Sequence, residues 1–295
     1  MISAFFVTEF LPISSLPSCF ISLAVNFGEN HFDLKANEYS FQAWFASELV
    51  NQFSVDGKYV YRDIQFYKES FRKVLGKDRK DIQKNTIYDI LLGDSIRPDI
   101  VIPYGNTIDA RYTDTRETKY YTIEKETKNN PKDKAMDLRK ADKDILAQLS
   151  IISELKVTAS VKNQKIAMII KDLLKLSIFS ASFFKIKTEL RRIEHKLIPV
   201  MIILDNDDRI KNIEVKLSQL ISSLRKINDE LSIQASDYLH PIVFLIKKNE
   251  SGIEHKLYSY NINEYKYELS IIKSEEDILH CKSLLNLTTP VVSSD

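Results

Sequence analysis

Pro98-Asp99-Ile100-Val101-Ile102 and Tyr120-Tyr121-Thr122-Ile123-Glu124-Lys125-Glu126-Thr127-Lys128 are two strand-like runs, rich in β-branched and aromatic residues and each carrying acids at one end. The period of two along the second run puts Tyr120, Thr122, Glu124, Glu126 and Lys128 on one face, so Glu126 and Lys128 point the same way. Side by side, such strands would gather two carboxylates and one ammonium at their ends. A metal-dependent phosphodiester hydrolase needs that set: Mg²⁺ is held by one or two carboxylates, with waters and phosphate oxygens completing its shell. The Lys can then orient a water or offset charge building on the phosphate.

The acid-x-Lys spacing alone carries little weight. It recurs at Asp56/Lys58, Asp78/Lys80, Glu117/Lys119, Glu154/Lys156, Glu194/Lys196, Glu214/Lys216, Glu254/Lys256 and Glu264/Lys266. Pro98-Asp99, by contrast, is the only Pro-Asp in the chain. Together with the strand context, the two motifs resemble the PD-(D/E)xK nuclease superfamily, which includes many type II restriction endonucleases. The resemblance implies an α/β fold with a restriction-endonuclease-like core, a central mixed sheet flanked by helices and a helical insertion. It also implies Mg²⁺, with Mn²⁺ as a substitute, held by Asp99 and Glu126, with Lys128 positioning the attacking water. Glu124-Lys125-Glu126 would suit relatives with an acid-x-acid strand, so Glu124 stays open as a ligand.

A third acid fits the same picture. Residues 38–49 read as a helix with Asn37 as its N-cap and Phe41, Trp44, Phe45 and Leu49 on one side. Glu48 lies on or beside that apolar face, where an ionised carboxylate is costly unless paired or bound to metal. Members of the superfamily commonly carry a Glu on the first core helix that reaches the metal, and the resemblance assigns that role to Glu48. Its ordinary alternative is a boundary residue that snorkels to solvent.

Composition is that of an ordered chain: 295 residues, 44% apolar and 28% charged, which excludes wholesale disorder. The net charge of +1 says little, but positive charge is concentrated after the second run. Lys125, Lys132, Lys134, Arg139 and Lys140 are the candidate nucleic-acid contacts, diluted by Asp133, Asp137, Asp142 and Asp144. Cys19 and Cys281 lack metal-ligand spacing and read as thiols in a reducing compartment. The five histidines form no zinc pattern, although His31, ahead of the Glu48 helix, is noted because some RNA-cleaving relatives place a His near their metals. Residues 1–27 lack a basic leader, contain Glu9, and are broken by Pro12 and Pro17, so a signal peptide or spanning helix is not expected. A cytoplasmic location without membrane association is the expectation.

The organisation expected is N-terminal strands capping the core over residues 1–37, a catalytic core over 38–157, and a helical insertion or oligomer contact over 158–197. The remaining α/β core follows over 198–287, with a frayed tail at 288–295. Residues 132–155 show a long helical pattern and 165–193 another, apolar over much of its circumference. Pro199 to Asp205 and Pro241 to Ile246 are continuous apolar runs separated by a helical stretch, the pattern of buried, largely parallel strands. Asp205-Asn206-Asp207-Asp208 reads as an acidic loop capping the next helix.

DNA cleavage is the leading expectation, in a type II restriction or other genome-defence role. A homodimer on a palindromic site would follow, with a cognate methyltransferase acting at the same sequence. A noncatalytic nucleic-acid-binding or protein-interaction α/β domain and a metal-dependent ribonuclease are the alternatives.

Overall fold

The computed structural model describes residues 16–31, 38–54, 60–62, 64, 66–67, 95–105, 145–158, 164–190, 195–205, 210, 213–231, 233–273 and 277. Helices α1 (Leu16–His31) and α2 (Glu38–Ser54) precede strands β1 (Tyr61–Arg62), β2 (Phe66–Tyr67), β3 (Ser95–Ile96), β4 (Ile100–Pro103) and β5 (Leu149–Val157). Helix α3 (Gln164–Leu190), β6 (Ile198–Asp205), α4 (Ile213–Leu231), β7 (Ile242–Asn249), β8 (Gly252–Asn261) and β9 (Lys266–Ile272) follow. Seven strands form one mixed sheet in the order β1-β4-β5-β6-β7-β8-β9, and β2 pairs with β3 separately. The class is α/β, with helices on both faces of the sheet.

The strand β6 shows how the two faces are built. Val200, Ile202 and Leu204 join the core under α1 and α2, while Met201 and Ile203 join the core under α3 and α4. A central parallel strand buried on both sides reads as a continuous apolar run, and Pro199 to Asp205 does so because it is one. Strands β5, β6 and β7 are parallel to one another, joined by α3 and α4 as crossovers; β4 and the hairpin β7-β8-β9 are antiparallel.

Helix α2 forms as its sequence indicates: Phe41, Phe45 and Leu49 are fully buried and Trp44 half-buried. Phe27 of α1 packs against both Phe41 and Trp44, with ring centroids 4.6 and 4.8 Å apart. Within residues 1–37, expected as strands capping the core, Leu16–His31 is instead helix α1. Pro17 is tolerated because it falls in the first turn, where no intrahelical partner for its missing N–H is required. Gly28 then lets the helix lie close on the sheet: a Cβ there would stand 2.9 Å from Ile246 Cγ2 and 2.5 Å from His255 Nε2.

A second correction concerns residues 132–155. Their C-terminal part is not helical: after a single turn at residues 145–147, the chain is strand β5 from Leu149. Ile145, Leu149, Ile152 and Leu155 suit a helical stripe, but β5 is paired on both sides and covered on both faces, so both of its faces need apolar residues. Within residues 158–197, expected as a helical insertion or oligomer contact, the helix α3 is the crossover between β5 and β6. Leu173, Leu176, Phe179 and Phe183 of this helix are buried in the core, which accounts for its broad apolar circumference. No helix among the described residues is long and apolar enough to cross a membrane.

Candidate active site

In the antiparallel pairing of β4 and β5, Ile100 faces Ser153 and Val101 faces Ile152. Continuing that register outward by one step sets Asp99, just ahead of β4, opposite Glu154. Glu154 and Lys156 share the face of β5 that carries Ile152, the face covered by α3. Pro98 has no N–H to give a further ladder bond. The Asp99 carboxylate is tied to β5 by its side chain, its Oδ2 accepting the Leu155 N–H at 2.7 Å.

Lys156 is the centre of the cluster. Its Nζ lies 3.3 Å from Glu154 Oε2, 3.3 Å from Asp172 Oδ2 on α3, and 3.4 Å from Glu38 Oε1 in the first turn of α2. Lys175, one turn along α3, pairs with Asp172 Oδ1 at 2.8 Å. Gln42, one turn beyond Glu38, directs its Nε2 to the Leu155 carbonyl at 3.5 Å. Asp99, Glu154 and Asp172 are all buried.

Burial is the main reason that the Glu154 carboxyl is pushed up to about 8, with the charges of Asp99 and Asp172 adding to it and Lys156 opposing it. Asp99 is raised as well, first by burial, against the pull of Lys156 and of the Leu155 N–H. Burial acts against the Lys156 ammonium, but Glu154, Asp172, Asp99 and Glu38 outweigh it and hold Lys156 protonated. At neutral pH the site therefore holds an ammonium and keeps a proton on Glu154.

The donor set suits a divalent cation. Four carboxylates, Glu38, Asp99, Glu154 and Asp172, face two ammonium groups, Lys156 and Lys175, which leaves an excess of negative charge once Glu154 ionises. Asp99 and Glu154 are the residues that could hold the ion, because Asp172 has both oxygens on ammonium groups. No group of three or more His, Cys, Asp or Glu side chains among the described residues is gathered around a metal position. Two carboxylates are enough for Mg²⁺, whose remaining ligands are waters and substrate oxygens.

Of the residues singled out in the sequence, Asp99 is in the cluster. Glu124, Glu126 and Lys128 lie outside the described residues, as do Lys125, Lys132, Lys134, Arg139 and Lys140. Glu48 is half-buried on α2, ten residues beyond Glu38 and so about 15 Å further along the helix. The α2 side chains that reach the cluster are Glu38 and Gln42. In the sequence Glu154 and Lys156 are one acid-x-Lys pair among many, and the helical pattern of residues 132–155 masks the strand that carries them. The signal that could have found them is two charges inside the largely apolar strand-forming run Ile151-Ile152-Ser153-Glu154-Leu155-Lys156-Val157, directly comparable with the context that favoured Glu126 and Lys128.

Asp205, the first residue of the acidic loop, is fully buried at the end of β6 and holds local structure. Its Oδ1 accepts from the Thr158 hydroxyl at 2.5 Å and its Oδ2 from the Ile210 N–H at 2.9 Å, tying the ends of β5 and β6 to the approach to α4. Set against known proteins, the chain matches no family model, no curated protein and no solved structure.

Proposed function

We propose that this chain is a Mg²⁺-dependent endonuclease of the PD-(D/E)xK type that hydrolyses DNA phosphodiester bonds, with its motif formed by Asp99, Glu154 and Lys156. The observation that carries this reading is the register of β4 on β5, which sets the Pro-Asp acid opposite an acid-x-Lys pair on the neighbouring strand. The order of elements supports the restriction-endonuclease-like core: α2, three antiparallel strands β1, β4 and β5, the crossover α3, and a parallel β6. The pair Glu154/Lys156 is preferred to Glu126/Lys128 because it stands beside Asp99.

When bound, the metal would supply Lewis acidity toward a phosphate oxygen and lower the pKa of a bound water. Asp99 and Glu154 would hold it, with Glu154 giving up its proton on binding. Lys156 keeps an ammonium beside that pair, placed to orient the attacking water and to offset charge developing on the phosphate. The Leu155 N–H fixes the Asp99 carboxylate, and the Glu38 carboxylate faces the ammonium from α2.

Plasmid DNA and a structured RNA incubated with the protein and MgCl₂ test the proposal. The parent should cut DNA, chelation should stop it, and Asp99→Ala and Glu154→Ala should be inactive while still binding DNA. Glu126→Ala should cut at the parental rate; an inactive Glu126→Ala with an active Glu154→Ala would return the motif to the Glu126/Lys128 pair. Cleavage of RNA alone would make the chain a ribonuclease. No cleavage of either by the parent favours a noncatalytic binding domain.

A further inference from the structure

Asp172 stands in an apolar turn of α3, beside Leu173, Leu174 and Leu176, and is only 5% exposed. A helix whose sole task was to cover the sheet would carry an apolar residue there, since a buried carboxylate is strongly unfavourable unless paired. Both oxygens of Asp172 are engaged by ammonium groups: Oδ1 by Lys175 at 2.8 Å and Oδ2 by Lys156 at 3.3 Å. Lys175, at i+3 on the same helix, fixes the carboxylate from outside, so that its other oxygen is presented to the strand. The remaining partners of Lys156 are less constant. Glu38 is 37% exposed, and Glu154 is a candidate metal ligand whose carboxylate would turn to the ion.

We infer that Asp172 is a positioning residue, a carboxylate on the crossover helix that holds the Lys156 ammonium in the site while Asp99 and Glu154 take the metal. This deepens the nuclease proposal and rests on it for what Lys156 does. The holding itself depends on the ion pairs alone. The helix α3 is packed into the core from Ile169 to Ile186, so the Asp172 carboxylate is offered from an anchored element.

The experiment compares full-length Asp172→Asn and Asp172→Glu with the parent in four measurements: thermal melting, Mn²⁺ affinity by titration calorimetry, single-turnover plasmid cleavage, and the acetylation rate of Lys156 relative to the exposed Lys248 by mass spectrometry. In Asp172→Asn, melting should fall, because a buried partner of Lys156 and Lys175 is removed, while Mn²⁺ affinity should stay near the parent and Lys156 should acetylate several-fold faster with Lys248 unchanged. Cleavage should fall about ten- to a hundredfold, the range for a residue that orients a reacting group. Asp172→Glu, which keeps the charge, should recover much of both. An unchanged Lys156 acetylation rate overturns the inference. So does a loss of Mn²⁺ affinity as large as that of Asp99→Ala, which would make Asp172 a ligand, or faster acetylation of Lys248 as well, which would make its role structural. If the parent cuts neither nucleic acid, the nuclease reading fails, and the acetylation measurement still decides whether Asp172 holds Lys156.

Discussion

The Asp99 carboxylate accepts the backbone N–H of Leu155 at 2.7 Å, and Leu155 is the residue between Glu154 and Lys156. One hydrogen bond thus locks the Pro-Asp acid to the middle of the acid-x-Lys pair, across 56 residues of sequence. The side chains that meet there come from the residue before β4, from β5, from α2 and from α3.

Glu154 gives the site a pH dependence whose direction is fixed. Its folded carboxyl is raised from 4.5 to about 8, so between those values the native state holds a proton that the unfolded chain has released. Glu154's contribution to the stability of the metal-free protein therefore falls as pH rises through that window, opposed below about pH 6.5 by His195, His240 and His255, whose burial lowers their pKa, while divalent-metal affinity rises as the competing proton is lost. Glu154→Gln, which mimics the protonated side chain, should lose the decline in melting temperature between about pH 6.5 and 8 and bind Mn²⁺ weakly at every pH. Melting scans from pH 5 to 9 with and without Mn²⁺ check this; parent and variant profiles that run parallel between about pH 6.5 and 8 would contradict it.

Removing Lys156 should cost more stability than an exposed ion pair would. Lys156→Met leaves Glu154, Asp172 and Asp99 buried around an apolar side chain, a loss of about 3 kcal/mol in metal-free protein. Added Mg²⁺ should recover part of it, and single-turnover cleavage should remain slowed by roughly a hundredfold. Urea unfolding at pH 7 measures the first effect. A variant as stable as the parent would mean that the carboxylates do not depend on this ammonium.

The close approach of α1 to the sheet makes a prediction independent of any activity. Gly28→Ala would gain about 1 kcal/mol in helix propensity, yet its Cβ would meet Ile246 at 2.9 Å and His255 at 2.5 Å, both of them buried. Overpacking of this kind costs about 1–3 kcal/mol, so the net effect should be destabilising. Chemical denaturation with an unchanged m-value would confirm that the native packing is what suffers; a stabilised variant would show that α1 can move away freely.

Much of the α/β alternation was legible in the chain because it depends on local periodicity. Phe41, Phe45 and Leu49 mark one face of α2, and the unbroken apolar runs at Val200 to Leu204 and Ile242 to Ile246 mark strands covered on both sides. Pro98-Asp99 stood out by its singularity. What periodicity could not decide was the state of residues 149–157, whose apolar residues satisfy both a helical stripe and a doubly buried strand; pairing with β4 on one side and β6 on the other settled it. The partner of Asp99 followed from that pairing, since an acid-x-Lys spacing is common and only strand register says which one lies opposite. Asp172 and Glu38 were beyond any local signal. They belong to helices in different layers, and nothing but the closing of those layers around Lys156 brings their charges together.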